Sequence, residues 1–147
     1  MNDPRSARNG SSEPDGADRA CRVEFVNDCP REHEYPAMIH VSAQFYYKGG
    51  ETSEVVEDVR VIPGEAHTLY SRASEDPAEC VKRVDTVMQW MFADGRTGKR
   101  SARFDALQGK CLVRARVALK LKGREAPAQL LIGMESGAEP ALRAPAA

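Results

Sequence analysis

Residues 111 to 123, CLVRARVALKLKG, alternate with a period of two. One set is Cys111, Val113, Ala115, Val117, Leu119 and Leu121, and the other is Leu112, Arg114, Arg116, Ala118, Lys120 and Lys122. Successive strand side chains point to opposite faces, so this predicts a β-strand with an apolar inner face and a cationic outer one. The same period recurs upstream. In CRVEFVND, Val23 and Phe25 alternate with Arg22, Glu24 and Val26. AMIHVSAQFYYKGG carries β-branched and aromatic residues into a Gly49-Gly50 turn, and SEVVEDVRVIPG alternates until Pro63 and Gly64; these two read as neighbours in a meander. AHTLYS and AQLLIGM are shorter candidates.

One segment fits two periods. In SEDPAECVKRVDTVMQWMFADG, Ser74 or Asp76 could cap a helix, with Cys80/Val81, Val84, Val87/Met88 and Met91/Phe92 at spacings of three and four. Yet Val84, Thr86, Met88, Trp90 and Phe92 also alternate, and they lead through the Gly-rich ADGRTGKR into an alternating SARFDAL. The reading adopted is a helical turn at Pro77 to Lys82, then a strand from Val84 to Ala93 that pairs with residues 100 to 107 and, through them, with 111 to 122. Six to eight strands and at most one short helix predict a mostly β fold, an antiparallel β-sandwich or barrel. Its core would be Val23, Phe25, Ile39, Val41, Phe45, Val59, Val61, Leu69, Met88, Trp90, Phe92, Phe104, Val113, Val117 and Leu119. The order Cys80, Trp90, Cys111 fails as an immunoglobulin signature. Gly109 stands where a corner tyrosine is needed, and the cysteines are close together for that pattern.

Composition adds tails. Residues 1–20 are nearly free of large apolar side chains and 135–147 are mostly Ala, Pro and Gly, so neither can bury enough surface to offset its ordering entropy. Both are expected to be disordered, flanking a domain at 21–134. No apolar run reaches membrane-spanning length and the N-terminus lacks a secretion signal, which points to the cytoplasm; disulfides would instead point to secretion. Charge is segregated beneath a net of −1. Residues 1–95 hold 10 Lys or Arg against 18 Asp or Glu, residues 96–124 hold 10 against 1, and residues 125–147 hold 1 against 3. The acidic and basic portions must either meet in the fold or face different things.

Motifs for chemistry fail on inspection. GRTGKR has Ala93 where a phosphate-binding loop needs its first Gly, and Arg100 in place of the hydroxyl. HEYPA has Ala37 for the second His of a zinc-protease helix, and Pro36 would break that helix. Cys29, His33 and His40, with Cys21 upstream, are weak zinc candidates whose spacing matches no common finger. Cys80, near a helical segment, could be activated by Lys82 or Arg83, although a thiol at an apolar position is more often packing or a bridge. No cofactor is implied. Four cysteines permit two disulfides by three connectivities; isolated buried thiols are the favoured alternative, and Cys111, which begins the apolar face, is the one most expected to be buried.

The cations therefore carry the functional expectation. Arg96, Lys99, Arg100, Arg114, Arg116, Lys120 and Lys122 outnumber Glu51, Glu54, Glu57 and Asp58, which a neighbouring strand could offer them. The expected function is a non-enzymatic protein-interaction module that recognises an acidic partner surface through this basic strand face. Nucleic-acid or other polyanion binding (glycan, phosphoinositide) ranks second, because Phe104 is the one aromatic among residues 96–124. An enzyme or zinc protein ranks third.

Overall fold

The computed structural model describes residues 20–31, 35–107, 109–121 and 129–137. Most of both predicted tails, and His33 and Lys122, lie outside the described residues. Eight strands follow in chain order: β1 (Arg22–Asn27), β2 (Met38–Tyr47), β3 (Thr52–Val59), β4 (Ala66–Tyr70), β5 (Val81–Met91), β6 (Thr97–Asp105), β7 (Cys111–Lys120) and β8 (Gln129–Gly137). They form two four-stranded sheets, β4-β1-β7-β8 and β3-β2-β5-β6, stacked as a sandwich.

The ambiguous segment resolves by burial. A 3-10 turn at Pro77–Glu79 is capped by Asp76, whose carboxylate accepts from the Ala78 N–H at 3.0 Å. The chain then extends, because the alternation from Val84 to Trp90 buries Val84, Thr86, Met88 and Trp90 against the other sheet. Thr86 is tolerated there because its hydroxyl donates to the Ala102 carbonyl at 2.9 Å. The β5–β6 hairpin turns through Gly95, at a φ of +94° that an L side chain rarely adopts.

Two expectations need correction. β7 does not lie beside β6. It crosses to the other sheet, where it pairs in parallel with β1 (Val23 beside Ala115, Phe25 beside Val117) and antiparallel with β8. This is the one parallel pairing among the described strands. The phase of β7 also shifts at its start. The β7–β8 ladder is irregular between Leu112 and Arg114, so Leu112 enters the core and Val113, predicted inside, is only half-buried.

Phe25, Ile39, Val41, Phe45, Leu69, Met88 and Leu119 fill the space between the sheets as predicted, and Val59 packs at its margin. Sequence reading left Tyr47 out of the core. Its ring is buried because its hydroxyl is satisfied by Ser53 Oγ at 2.7 Å and by the Arg72 N–H at 3.1 Å. Cys80, just before β5, and Cys111, opening β7, form a disulfide that ties one sheet to the other, with Cα atoms 5.5 Å apart. Isolated thiols are thus the wrong reading for this pair, and Cys111, the cysteine most expected to be buried, is half-buried while the other three are buried. Cys21 and Cys29, at the two ends of β1, are free and buried.

Candidate interaction surface

The outer face of β4-β1-β7-β8 is built row by row from the ladders. One row runs Tyr70, Arg22, Arg114; the next runs Thr68, Glu24, Arg116, Gly133; a third runs Ala66, Val26, Ala118, Leu131; and Lys120 stands beside Gln129. Glu135 of β8 flanks Arg114, and its Oε1 lies 3.3 Å from Arg114 Nη2. Glu24 Oε1 lies 3.2 Å from Arg116 Nε. The partners of the two arginines thus come from strands on either side of β7, and not from Glu51, Glu54, Glu57 or Asp58.

Two carboxylates face four cations on these strands, so a surplus remains around Arg22 and Lys120. Arg22 and Arg114 are direct neighbours across β1 and β7, an arrangement that opposes two like charges. Arg22 Nε is buried and has no hydrogen-bond partner. In the adjoining row Val26 and Ala118 are buried, while Leu131 is 46% exposed.

Arg96, Lys99 and Arg100 belong to a different surface. They sit on or next to β6, in the opposite sheet from β7, so the seven predicted cations do not form one patch. Arg96 stacks on Phe92 at 4.6 Å and donates from Nε to Asp94 at 3.0 Å. Lys99 points outward in the row of Gln89. Arg100 lies in the inward row of Met88 and donates to the Lys99 carbonyl at 3.0 Å. The expected acids lie on or beside β3, at the far edge of that same sheet. Glu57 contacts the buried His67 at 2.5 Å, Asp58 contacts His40 at 2.6 Å, and Glu51 accepts from Arg72 at 2.9 Å.

Between these edges, Asp85 on β5 gathers Arg83 (3.0 Å), Arg103 (2.8 Å) and the Tyr46 hydroxyl (3.1 Å), while Arg83 also stacks over the Tyr46 ring. The hydrogen bond from Arg83, with help from Arg103 and Tyr46, holds the Asp85 carboxyl below the usual carboxylate range.

The remaining candidates for chemistry are dispersed. Among the described residues no three His, Cys, Asp or Glu side chains are placed to hold a metal ion. Cys29 is buried with its sulfur near the Leu119 carbonyl, whereas His40 is on the outer face of β2 with Asp58. Cys80 is committed to the disulfide, and Arg83 is committed to Asp85. Burial pushes the Cys21 thiol up to about 12 and raises that of Cys29 as well, which keeps both protonated and unreactive at neutral pH.

Sequence reading missed Arg22, Glu24 and Glu135 as members of the cationic face. Arg22 and Glu24 were legible as the outer set of β1, but only the parallel β1–β7 pairing brings them beside Arg114 and Arg116. No helix among the described residues is long and apolar enough to cross a membrane. Compared with known proteins, the chain matches no family model, and neither a curated protein nor a solved structure is significantly similar to it.

Proposed function

We propose that the protein is a non-enzymatic interaction module that docks an acidic protein surface on the outer face of β4-β1-β7-β8. The observation that supports this most is the Arg22–Arg114 pair, two cationic residues in register across β1 and β7, of which Arg22 has a buried, unpartnered Nε. A partner's carboxylate set against the exposed Arg114 offsets the like charge of Arg22 and can accept in the planar geometry guanidinium offers. Arg116 and Lys120 extend the positive field, and the exposed Leu131, in the adjoining row, supplies an apolar contact that charge alone lacks. The ion pairs to Glu24 and Glu135 are solvent-exposed and contribute little, so a partner's carboxylates can exchange with them. The inter-sheet disulfide suits an encounter in an oxidising compartment.

The test is anisotropy of a labelled poly-glutamate peptide, with duplex DNA and heparin titrated in parallel over a range of salt. The expected result is saturable binding of the acidic peptide that is lost in Arg114→Glu/Arg116→Glu and retained in Lys99→Glu. Unchanged binding by the double variant overturns the proposal. Tighter binding of DNA or heparin with a steep salt slope replaces it with the polyanion reading.

A further inference from the structure

The sheet β3-β2-β5-β6 ends in an acidic strand on one side and a basic strand on the other. Its rows are straight: Asp58, His40, Gln89 and Lys99 form one; Glu57, Val41, Met88 and Arg100 the next; Glu54, Gln44, Asp85 and Arg103 a third. In each of these rows the β3 end is acidic and the β6 end is basic. Three strand spacings, about 14 Å, separate the two ends, which exceeds the screening length of about 8 Å at physiological ionic strength. The two edges therefore do not neutralise each other within one molecule.

We infer that β6 of one molecule pairs with β3 of a second copy of this chain, extending the sheet head to tail. Three features of the backbone permit it. The strands run alternately up and down across the sheet, so β6 meets the next β3 antiparallel. Hydrogen-bonded and non-hydrogen-bonded pairs alternate across aligned antiparallel rows, and four strands, an even number, leave the two outer edges in matching phase. Keeping the rows aligned sets Lys99 opposite Asp58, Arg100 opposite Glu57 and Arg103 opposite Glu54, with Ala102 opposite Val55 and Ser101 opposite Val56.

The charges also select against the alternatives. A slip of two residues, the smallest that keeps inner and outer faces, dissolves all three opposite-charge pairs, and one direction of slip sets Asp105 against Glu54. Pairing β6 with β6, or β3 with β3, about a two-fold axis centred on Ser101 or Val56 opposes Lys99 to Arg103 or Glu54 to Asp58. Some of these groups have partners within the chain: Asp58 has His40, Glu57 has His67 and Arg103 has Asp85. Asp58 and Arg103 are more than half exposed and can bridge to a second chain as well.

A second observation lies on the same side of the sandwich. β8 is the edge strand stacked over β6, and its Ile132 and Met134, beside the inward-facing Val117 and Ala115, are 58% and 49% exposed. A molecule added along β6 covers that open side. Each copy adds four strands, a rise of about 19 Å, with an accumulated twist on the order of 80 to 100°. Such a contact is heterologous and does not close on itself, so it generates an open filament and not a dimer.

Sedimentation velocity on the full chain, over concentrations from on the order of 10 μM to 1 mM and at low and high salt, tests this. The expected result is a sedimentation coefficient that rises without a plateau at the dimer and falls back at high salt. Lys99→Glu and Asp58→Lys each reverse one row, and each is expected to weaken association about tenfold. Their equimolar mixture is expected to recover it, because every alternating contact in the mixture is complementary again; recovery also excludes misfolding of either variant. A wild type that stays monomeric at low salt, a plateau at dimer, variants that associate like wild type, or a mixture that fails to recover each overturn the inference. Loss of poly-glutamate binding on the β7 face leaves it standing.

Discussion

Gly98 lies in β6 directly opposite Trp90 of β5, and the indole folds over it. A Cβ added at this position would stand 2.4 Å from Trp90 Cε2 and Cζ2 and 2.6 Å from Nε1. Carbon atoms settle at about 3.5 to 4.0 Å, so the ring must retreat by about 1 Å. It has little room to do so, for Trp90 is 5% exposed and belongs to the core cluster. Overpacking of this kind costs about 1 to 3 kcal/mol, against which alanine recovers about 0.5 to 1 kcal/mol of glycine's conformational entropy. The net expectation for Gly98→Ala is a loss of about 1 to 2 kcal/mol, or a Tm lowered by roughly 4 to 8 °C for a domain of this size.

Trp90 is the single tryptophan of the chain, so its fluorescence reports the site directly. Urea unfolding followed by tryptophan emission should show a lower midpoint for Gly98→Ala and a red-shifted native spectrum, as the indole is displaced toward water. With Trp90→Phe in the background the smaller ring accommodates the methyl group, and a double-mutant cycle, with all four proteins followed by circular dichroism because Trp90→Phe leaves no tryptophan, should return a coupling of about 1 kcal/mol. A Gly98→Ala protein with a midpoint equal to or above wild type refutes the reasoning, because it would mean that the ring and the edge strand separate at no cost.

Removal of the inter-sheet disulfide by Cys80→Ala/Cys111→Ala, across a sequence separation of 31, should cost about 3.7 kcal/mol in the chain-entropy treatment; equal guanidinium stability would show that it constrains nothing. Cys21, its thiol pushed up to about 12, exposes on the order of one thiolate in ten thousand at pH 8, so a thiol reagent should label it only as fast as the protein opens. Rapid labelling in native buffer would contradict its burial. Asp85→Asn should lower stability by up to about 1 kcal/mol near neutrality. Because Arg83 foremost holds the folded carboxyl below its unfolded value, that difference should persist above the unfolded value and shrink as pH falls toward and through the folded one, which paired unfolding curves across a descending acid series would reveal.

Local periodicity made the strands legible, since each needed only a run of alternating residues and a turn signal. Register and partnership were less legible. At Cys111-Leu112-Val113 three apolar residues stand in succession, so a period of two offers two phases with equal apolar support; the irregular ladder chooses Leu112 for the core. The placement of β7 was misread because consecutive strands usually pair, and here β6 and β7 lie in different sheets. The partners of Arg114 and Arg116 were hidden for the same reason. Glu24 is some ninety residues away along the chain, and nothing local indicates a parallel pairing between the first strand and the seventh.

The crossover of β7 also decides what the segregated charge of the chain becomes. Had β7 continued the sheet beside β6, the basic residues of both strands would have formed a single field at one edge. Instead the topology divides them: Arg114, Arg116 and Lys120 stand in the middle of one sheet with Glu24 and Glu135 on either side, while Lys99, Arg100 and Arg103 form an edge whose row-mates on β3 lie two strands beyond β5. A cation within a sheet face has neighbours on both sides and meets a partner through side chains alone. A cation on an edge strand stands beside unpaired backbone donors and acceptors, so a partner there can add a strand. The same residue type is therefore assigned to two modes of recognition by strand order, and salt should weaken both while strand-disrupting changes on β6 weaken only one.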